Sequence, residues 1–418
     1  MVDLVVVGAG PAGAMAAATA ARAGLEVVLL EKRRLPRHKP CGGGLPVPVQ
    51  AELLDLAPEA VVDTRVRHMR HSWRFAEAVE AAIDPPGTAA ERSRGLWMVQ
   101  RPRFDQALVR RAVDAGARVL EGHSFCALEP TGAGVELRVL QRDPDGGAVH
   151  ERRLRARHVV GADGAAGAVA ASVGLRPDPR VALAIELEVP HHWDPADPLL
   201  RPDLLHLDYG VLRRGYGWVF PKADHLNIGA GEFHGRFRDA RRDPGARVRI
   251  RAAIEGYAAA VGVDPARLTG LRAHAHPLPF WDGPEPLHSS DGRVLLVGDA
   301  AGLINPLFGD GLFHAIRSGR LAAEALLAGD PLSHTARVHD LLAGDFEAAR
   351  RLARLFYGLP GLTYRYGIRQ PRATALAVRL LGGEIPFQGL GRRALRRVAE
   401  GLLADLFPGA QPAAQSGA

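Results

Sequence analysis

Cysteine is nearly absent: Cys41 and Cys126 are the only two in 418 residues. Two thiols build neither a disulfide framework nor a four-cysteine zinc site, and the count fits a reducing compartment. Lysine is scarce too, occurring only at 32, 39 and 222 among 53 basic residues. The net charge of +7 therefore comes from arginines scattered along the chain, and without a reading motif that footprint argues against a nucleic-acid partner. No run approaches the roughly 18 to 20 uncharged apolar residues of a membrane-spanning helix. The apolar start, Leu4 to Val7, stops at Gly8, and no basic segment followed by an apolar stretch and a cleavage site is visible. The expectation is a cytoplasmic chain that does not cross a membrane.

What is present suits a large buried core divided into two or three structural units. Asp3 to Val7 predicts a strand, Pro11 to Ala23 an alanine-rich helix closed by Gly24, and Glu26 to Leu30 a second strand, which together make a βαβ unit. The Pro- and Gly-rich loop from Pro36 to Pro48 is long enough to be functional. Strand-like patterning over Val61 to Ile83 precedes a helix over Arg103 to Ala115. Val119 to Val149 alternates around Gly132 and Gly134, predicting an antiparallel meander in which Cys126 is a small buried hydrophobe. His158 to Gly161 reads as a buried strand, about 180 to 235 as a separate sheet, and Arg247 to Val261 as a helix. Arg293 to Val297 predicts a further strand, and Gly311 to Ala328 a long helix behind a Gly-rich loop. Amphipathic patterns near 345–355 and 392–406 predict helices, and the polar tail after Pro408 predicts disorder.

Gly8-Ala9-Gly10-Pro11-Ala12-Gly13 lies between a predicted strand and helix. The first glycine makes the tight turn, the second lets backbone approach a pyrophosphate, and the helix N-terminus offers amide donors. Glu31 ends the next strand, where a carboxylate accepts both ribose hydroxyls and repels a 2′-phosphate. Strand, helix and acid in register predict dinucleotide binding.

The second and third fingerprints of flavoproteins with the aromatic-hydroxylase fold are resembled by Val160-Gly161-Ala162-Asp163-Gly164 and by Leu295 to Gly302, which contains Asp299. That resemblance implies FAD, with Asp299 at its ribityl and pyrophosphate region. The segment Asn305 to Gly311 follows, where Gly309 and Gly311 let backbone run under the isoalloxazine and the helix from Leu312 stabilises negative charge on reduced flavin.

Within that group the chain resembles the geranylgeranyl reductase family, which saturates isoprenoid double bonds in lipids, chlorophyll side chains and quinones. The resemblance is carried by Lys39-Pro40-Cys41-Gly42-Gly43-Gly44, by Tyr216-Gly217-Trp218-Val219-Phe220-Pro221-Lys222 with Asp224-His225, and by the 305–311 loop. It implies that Lys32, Cys41, Gly42, Gly44 and Arg101 contact FAD, and that Tyr216, Trp218, Phe220 and Pro221 contact substrate. Alternation in a strand puts Tyr216, Trp218 and Phe220 on one face, an aromatic wall or an ordinary core stripe. Cys41 either donates a proton or packs against the ring, and Arg101 is either a cofactor contact or a helix-start surface residue. His225, His274, His276 and His314 show no metal-ligand spacing, so no metal is expected.

The expected fold is α/β (α+β overall): a Rossmann-like FAD-binding domain at 1–60, 101–178 and 272–330, an inserted antiparallel-sheet substrate domain at 61–100 and 179–271, and a C-terminal helical region at 331–418. The expected reaction is saturation of an isoprenoid C=C bond, hydride coming from reduced FAD and a proton from an acid in a dry pocket, with Cys41 the candidate acid. No second nucleotide unit is visible, so NAD(P)H or a small electron-carrier protein is expected to dock transiently. Arginine-bearing helices after residue 345 suit either contact with an anionic membrane surface or a solvated face. Two rivals stand beside this reading. One is a flavin monooxygenase or halogenase of a hydrophobic substrate, of which halogenation fits less well because Tyr216 and Phe220 depart from the halogenase Trp-x-Trp-x-Ile-Pro segment. The other is a non-catalytic lipid carrier, which the intact loop under the flavin argues against.

Overall fold

The computed structural model describes residues 1–406 apart from 57, 85–86, 89–92, 94, 144–146, 177, 237–242 and 371, so the tail after Pro408 lies outside the described residues. The opening βαβ unit forms as its pattern predicts, with strands Val2–Val7 and Val27–Glu31 in parallel register on either side of helix Pro11–Arg22. Ten of that helix's twelve residues are buried. Alanine on every face lets two longer helices, Arg101–Asp114 and Leu312–Leu327, pack closely against it.

The first sheet runs in the order 118–121, 27–31, 2–7, 149–161, 134–142, 123–131, with 294–296 pairing the end of 149–161. The expected meander is therefore shorter than predicted. Its antiparallel part begins at His123, while Arg118–Glu121 pairs in parallel with Val27–Glu31. Cys126 is half-buried in this meander, a correction that follows from the side chains of its edge strand lying only partly covered.

The second sheet runs 274–279, 180–190, 225–236, 215–221, 204–209, 68–73, 76–82. Strand His274–Pro279 pairs with Arg180–Pro190, which ties it to this sheet and not to the nucleotide part in which 272–330 was expected. Helix Pro244–Ala260, capped by Asp243 accepting from the amides of Gly245 and Ala246, covers the sheet's far face with Ile250, Ile254 and Tyr257. A small third sheet joins Gly44–Leu45, Leu96–Val99 and Val62–Val66, so the Pro36–Pro48 loop ends in a short strand and a helical turn at Val47–Ala51. The C-terminal helices His334–Gly358, Ala373–Leu381 and Leu390–Leu406 close one side. Among the described residues no helix is long and apolar enough to cross a membrane.

Three buried histidines make the fold acid-sensitive. His71 bridges Tyr209 and Thr374, His206 donates to the Leu199 carbonyl, and His334 donates to the Leu296 carbonyl. Burial lowers each from 6.5 to about 4. A histidine that is hard to protonate in the fold binds more protons when unfolded, so stability is lost as pH falls from 6.5 toward 4, by about 3 kcal/mol per residue at the acid end. Thermal unfolding scanned from pH 7 to pH 4 is expected to show a steep fall in Tm across that window. A flat profile would contradict it.

Candidate active site

Val7 lies opposite Gly161, and Gly161 opposite Leu296, in parallel register. The turns after these three strands therefore open side by side on one crevice, the place where open parallel sheets bind ligands. Gly8 holds a φ of +103°, and a Cβ there would lie 2.4 Å from the Ala162 carbonyl oxygen. A Cβ on Gly13 would lie 1.9 Å from the Gly8 carbonyl oxygen. Gly13 is thus a packing residue outside the crevice lining, a correction to its expected place among the cofactor contacts. At Gly10 the nearest atom to an added Cβ is an Arg37 guanidinium nitrogen 3.9 Å away, which leaves room above a helix start whose amides lack intrahelical partners.

Glu31 is buried and accepts from Arg37 Nε at 2.9 Å and from the Arg33 amide at 3.1 Å. Arg37 also pairs with buried Asp105 at 2.8 Å, a link the sequence does not signal because Arg37 is one arginine among many. Asp163 accepts from the Val169 amide through Oδ2, while its Oδ1 is buried without a partner, as is Asp310 Oδ1. Gly8, Gly10, Ala12, Glu31, Lys32, Asp163, Asp299, Gly309, Gly311 and Leu312 all line one crevice. Space at Gly10, a carboxylate at the second strand end and unpaired buried oxygens fit FAD.

The 36–44 loop crosses this crevice under charged side chains. Lys39 Nζ lies 2.5 Å from His276 Nε2 and 3.9 Å from Asp299. Burial lowers the Lys39 pKa against the pull of Asp299; burial works the other way on Asp299, but the hydrogen bond with His276 and the nearby Lys39 outweigh it, so its carboxyl is held below the ordinary range. Arg101 is buried, forms a bidentate pair with Asp105 at 2.7 and 2.8 Å, and reaches the Cys41 thiol. Burial works against its charge, but Asp105 overrides it, so the surface alternative for Arg101 is excluded.

Two buried ionisable side chains hold the Cys41–Gly42 segment from its two ends. The Cys41 amide donates to Glu186 Oε1 at 2.9 Å, and Lys222 Nζ donates to the carbonyls of Gly42 and Val99 at 2.6 and 2.8 Å. Glu186 is bonded in turn by Asn227, whose side-chain oxygen accepts from Trp218 Nε1 at 2.8 Å. Glu186 and Asn227 are contacts that motif reading missed, since each is a lone polar residue in a strand that pairs only in the folded sheet.

Tyr216, Trp218 and Phe220 line the same cavity, with successive ring centroids 6.0 and 6.1 Å apart. Phe220 lies so close to Gly42 that a Cβ there would sit 2.3 Å from the ring. The Tyr216 hydroxyl donates to the Phe308 carbonyl at 2.5 Å, which joins the wall to the 305–311 loop. Pro221 is buried outside the cavity lining and offers its carbonyl to Thr64, a correction to its expected substrate contact, since alternation turns it to the other face. The whole cavity measures about 1460 Å³ and continues past the wall to the C-terminal helices.

His274 and His276 share one face of strand His274–Pro279, and the histidines are not free of acidic neighbours. The ligand atoms of His38, Glu188 and His274 all lie within 4.8 Å of one another, with His38 and Glu188 paired at 2.9 Å. Strand spacing hides that grouping because its members come from three separate segments.

Residues 1–193 match the FAD binding domain family. The chain is 35% identical over 328 residues to the chloroplastic geranylgeranyl diphosphate reductase of rice, Oryza sativa, covering 78% of this chain and 66% of the rice protein. It thus spans just under two thirds of that relative. The menaquinone reductase of Mycolicibacterium smegmatis is 32% identical over 402 residues, 91% of each chain. The digeranylgeranylglycerophospholipid reductase 1 of Methanopyrus kandleri is 33% identical over 330 residues, 77% of this chain and 79% of that one. Among solved structures, a geranylgeranyl bacteriochlorophyll reductase-like protein from Thermoplasma acidophilum superposes with a TM-score of 0.70 at 21% identity, over 97% of this chain and 98% of that one. A flavin-dependent brominase superposes with a TM-score of 0.67 at 18% identity, over 97% of this chain and 99% of that one. At such identities the likeness shows a shared fold.

Proposed function

The chain belongs to the geranylgeranyl reductase family of FAD-dependent oxidoreductases, and from that premise we propose that it saturates C=C bonds in the isoprenoid chain of a lipid. The observation that carries the proposal is the single cavity that joins the dinucleotide crevice, the Cys41 loop and the Tyr216–Trp218–Phe220 wall. When bound, FAD supplies the hydride chemistry. The chain's own residues place the substrate and manage the proton. An unactivated alkene must be protonated with or before hydride arrival, which needs a water-poor site. The aromatic wall excludes water, and Cys41, fixed through its amide by Glu186, is the candidate acid.

Cofactor contacts in this reading are Gly8, Gly10, Ala12, Glu31, Lys32, Cys41, Gly42, Gly44, Arg101, Asp163, Asp299, Gly309, Gly311 and Leu312. The 1–60, 101–178 and 294–330 parts hold FAD, the second sheet carries the substrate wall, and the C-terminal helices close the cavity. NAD(P)H or a reduced carrier protein serves as external reductant in lipid metabolism. The location is cytoplasmic, with peripheral contact to an anionic bilayer through Arg392, Arg396 and exposed Leu395 on one helix.

An anaerobic experiment tests the activity. The flavoprotein is reduced with dithionite, mixed with a geranylgeranylated lipid, and followed by flavin reoxidation and product mass. Reoxidation with a gain of two hydrogens per double bond is expected. Reoxidation only on admitting oxygen, with an oxygenated product, would replace the proposal with a monooxygenase.

A further inference from the structure

The 36–44 loop meets one face of the second sheet through three side chains of a metal-ligating kind. His38 of the loop, Glu188 of strand Arg180–Pro190 and His274 of strand His274–Pro279 each bring a ligand atom to within 4.8 Å of the other two. Among the described residues no other group of His, Cys, Asp or Glu side chains does so. His38 Nε2 lies 2.9 Å from Glu188 Oε1, and the His38 and His274 rings have centroids 4.0 Å apart. Strand register fixes two of the three. His274 lies opposite Glu186 in the ladder, so Glu188, two residues along the same face, is its diagonal neighbour.

An ordinary ion pair accounts for His38 and Glu188 alone. It leaves His274 unexplained, because that ring lies against the pair without a side-chain hydrogen bond of its own among the described residues. His225, a further histidine near Glu188, is already engaged by Asp224 at 2.7 Å. Two imidazoles and one carboxylate form a donor set that suits zinc and ions like it, with a fourth position left to water. Bonds of about 2.0 to 2.1 Å in a tetrahedron put ligand atoms about 3.4 Å apart, so side-chain shifts of about 1 Å or less close the set. All three residues are partly exposed, which gives an ion a path from solvent. Arg272, the cation beside His274, is itself exposed, and water screens it.

We propose that His38, Glu188 and His274 bind a divalent transition-metal ion of the zinc class, and that the bound ion ties the loop carrying Cys41 to the second sheet. Two of the ligands stand on paired strands, and His38 is the one that comes from a loop, so binding the ion stabilises the docked loop. The site is separate from the reacting centre and holds whichever substrate is reduced.

The test is zinc binding to the flavin-loaded protein, stripped of metal by a chelator and kept at about pH 7.5, where an ordinary imidazole is neutral. Calorimetric titration with zinc chloride is expected to give about one equivalent per chain. Affinity is expected to fall about tenfold or more in His274→Ala and in Glu188→Gln, the second of which keeps the side-chain shape and serves if the first loses flavin. Zinc is expected to raise the Tm of the wild type and not that of the site variants. His68→Ala, which breaks a different histidine pair with Asp203, and Cys41→Ser are expected to bind zinc as the wild type does. No zinc binding by the wild type, full affinity in the site variants, or a wild-type Tm that zinc leaves unchanged overturns the proposal. Loss of binding in Cys41→Ser also overturns it, by moving the ion to the thiol.

Discussion

Replacing Lys222 by methionine is expected to lower turnover about a hundredfold and to destabilise the fold by about 2 to 6 kcal/mol. The stem survives in that variant, and only the two hydrogen bonds to the carbonyls of Gly42 and Val99 are removed. The Val99 carbonyl then stays buried and the Gly42 carbonyl half-buried without this donor, which costs about 1 to 3 kcal/mol each. Gly43, with a φ of +72°, already sits so close that a Cβ on it would lie 2.7 Å from Lys222 Nζ and 2.1 Å from the Val99 carbonyl oxygen. The loop therefore has one tight seat, and losing its pin lets the Cys41 thiol move relative to the flavin crevice. Turnover, flavin content and Tm measured together check the expectation. Retained activity with an unchanged Tm would show that Lys222 does not hold the loop. Glu186→Gln acts on the other end of the same Cys41–Gly42 segment and is expected to be milder, since the side-chain amide oxygen still accepts from the Cys41 amide.

Gly319→Val is expected to abolish flavin retention and to destabilise the protein by about 2 to 4 kcal/mol. Gly319 lies in helix Leu312–Leu327, where a Cβ would stand 2.1 Å from the Ala12 carbonyl oxygen. The obstacle is backbone at the start of helix Pro11–Arg22, so no side-chain rotation relieves it. The two helices must part at Ala12, just behind the dinucleotide turn, and both the turn and the Gly311 helix start are displaced. Flavin content after gel filtration, with Tm on the same sample, reads the effect. A variant that keeps stoichiometric FAD would show that the helix contact tolerates separation.

Much of the nucleotide part was legible because its signals are local. A strand, a tight glycine turn and a small-residue helix are adjacent in sequence, and Gly8, Gly10 and Glu31 lie where that spacing puts them. The aromatic wall was legible for the same reason, since period-two alternation places Tyr216, Trp218 and Phe220 on one face without reference to the rest of the chain. The same alternation turns Pro221 to the other face, where its carbonyl accepts from Thr64.

What only the folded chain decided are contacts between residues far apart in sequence. Glu186, Asn227 and Lys222 come from the second sheet to hold Cys41, Arg37 joins Glu31 to Asp105, and Gly319 meets Ala12. Lys222 ends the Tyr216–Lys222 motif and the others have no periodic or spacing signature, but in every case the partner is set only when another segment is packed against the residue. The sequence by itself determined the fold class, the dinucleotide turn and the family. The packing of three sheets and the C-terminal helices decided which charges are paired and which are left facing the cavity, because burial and partnering are properties of the assembled surface.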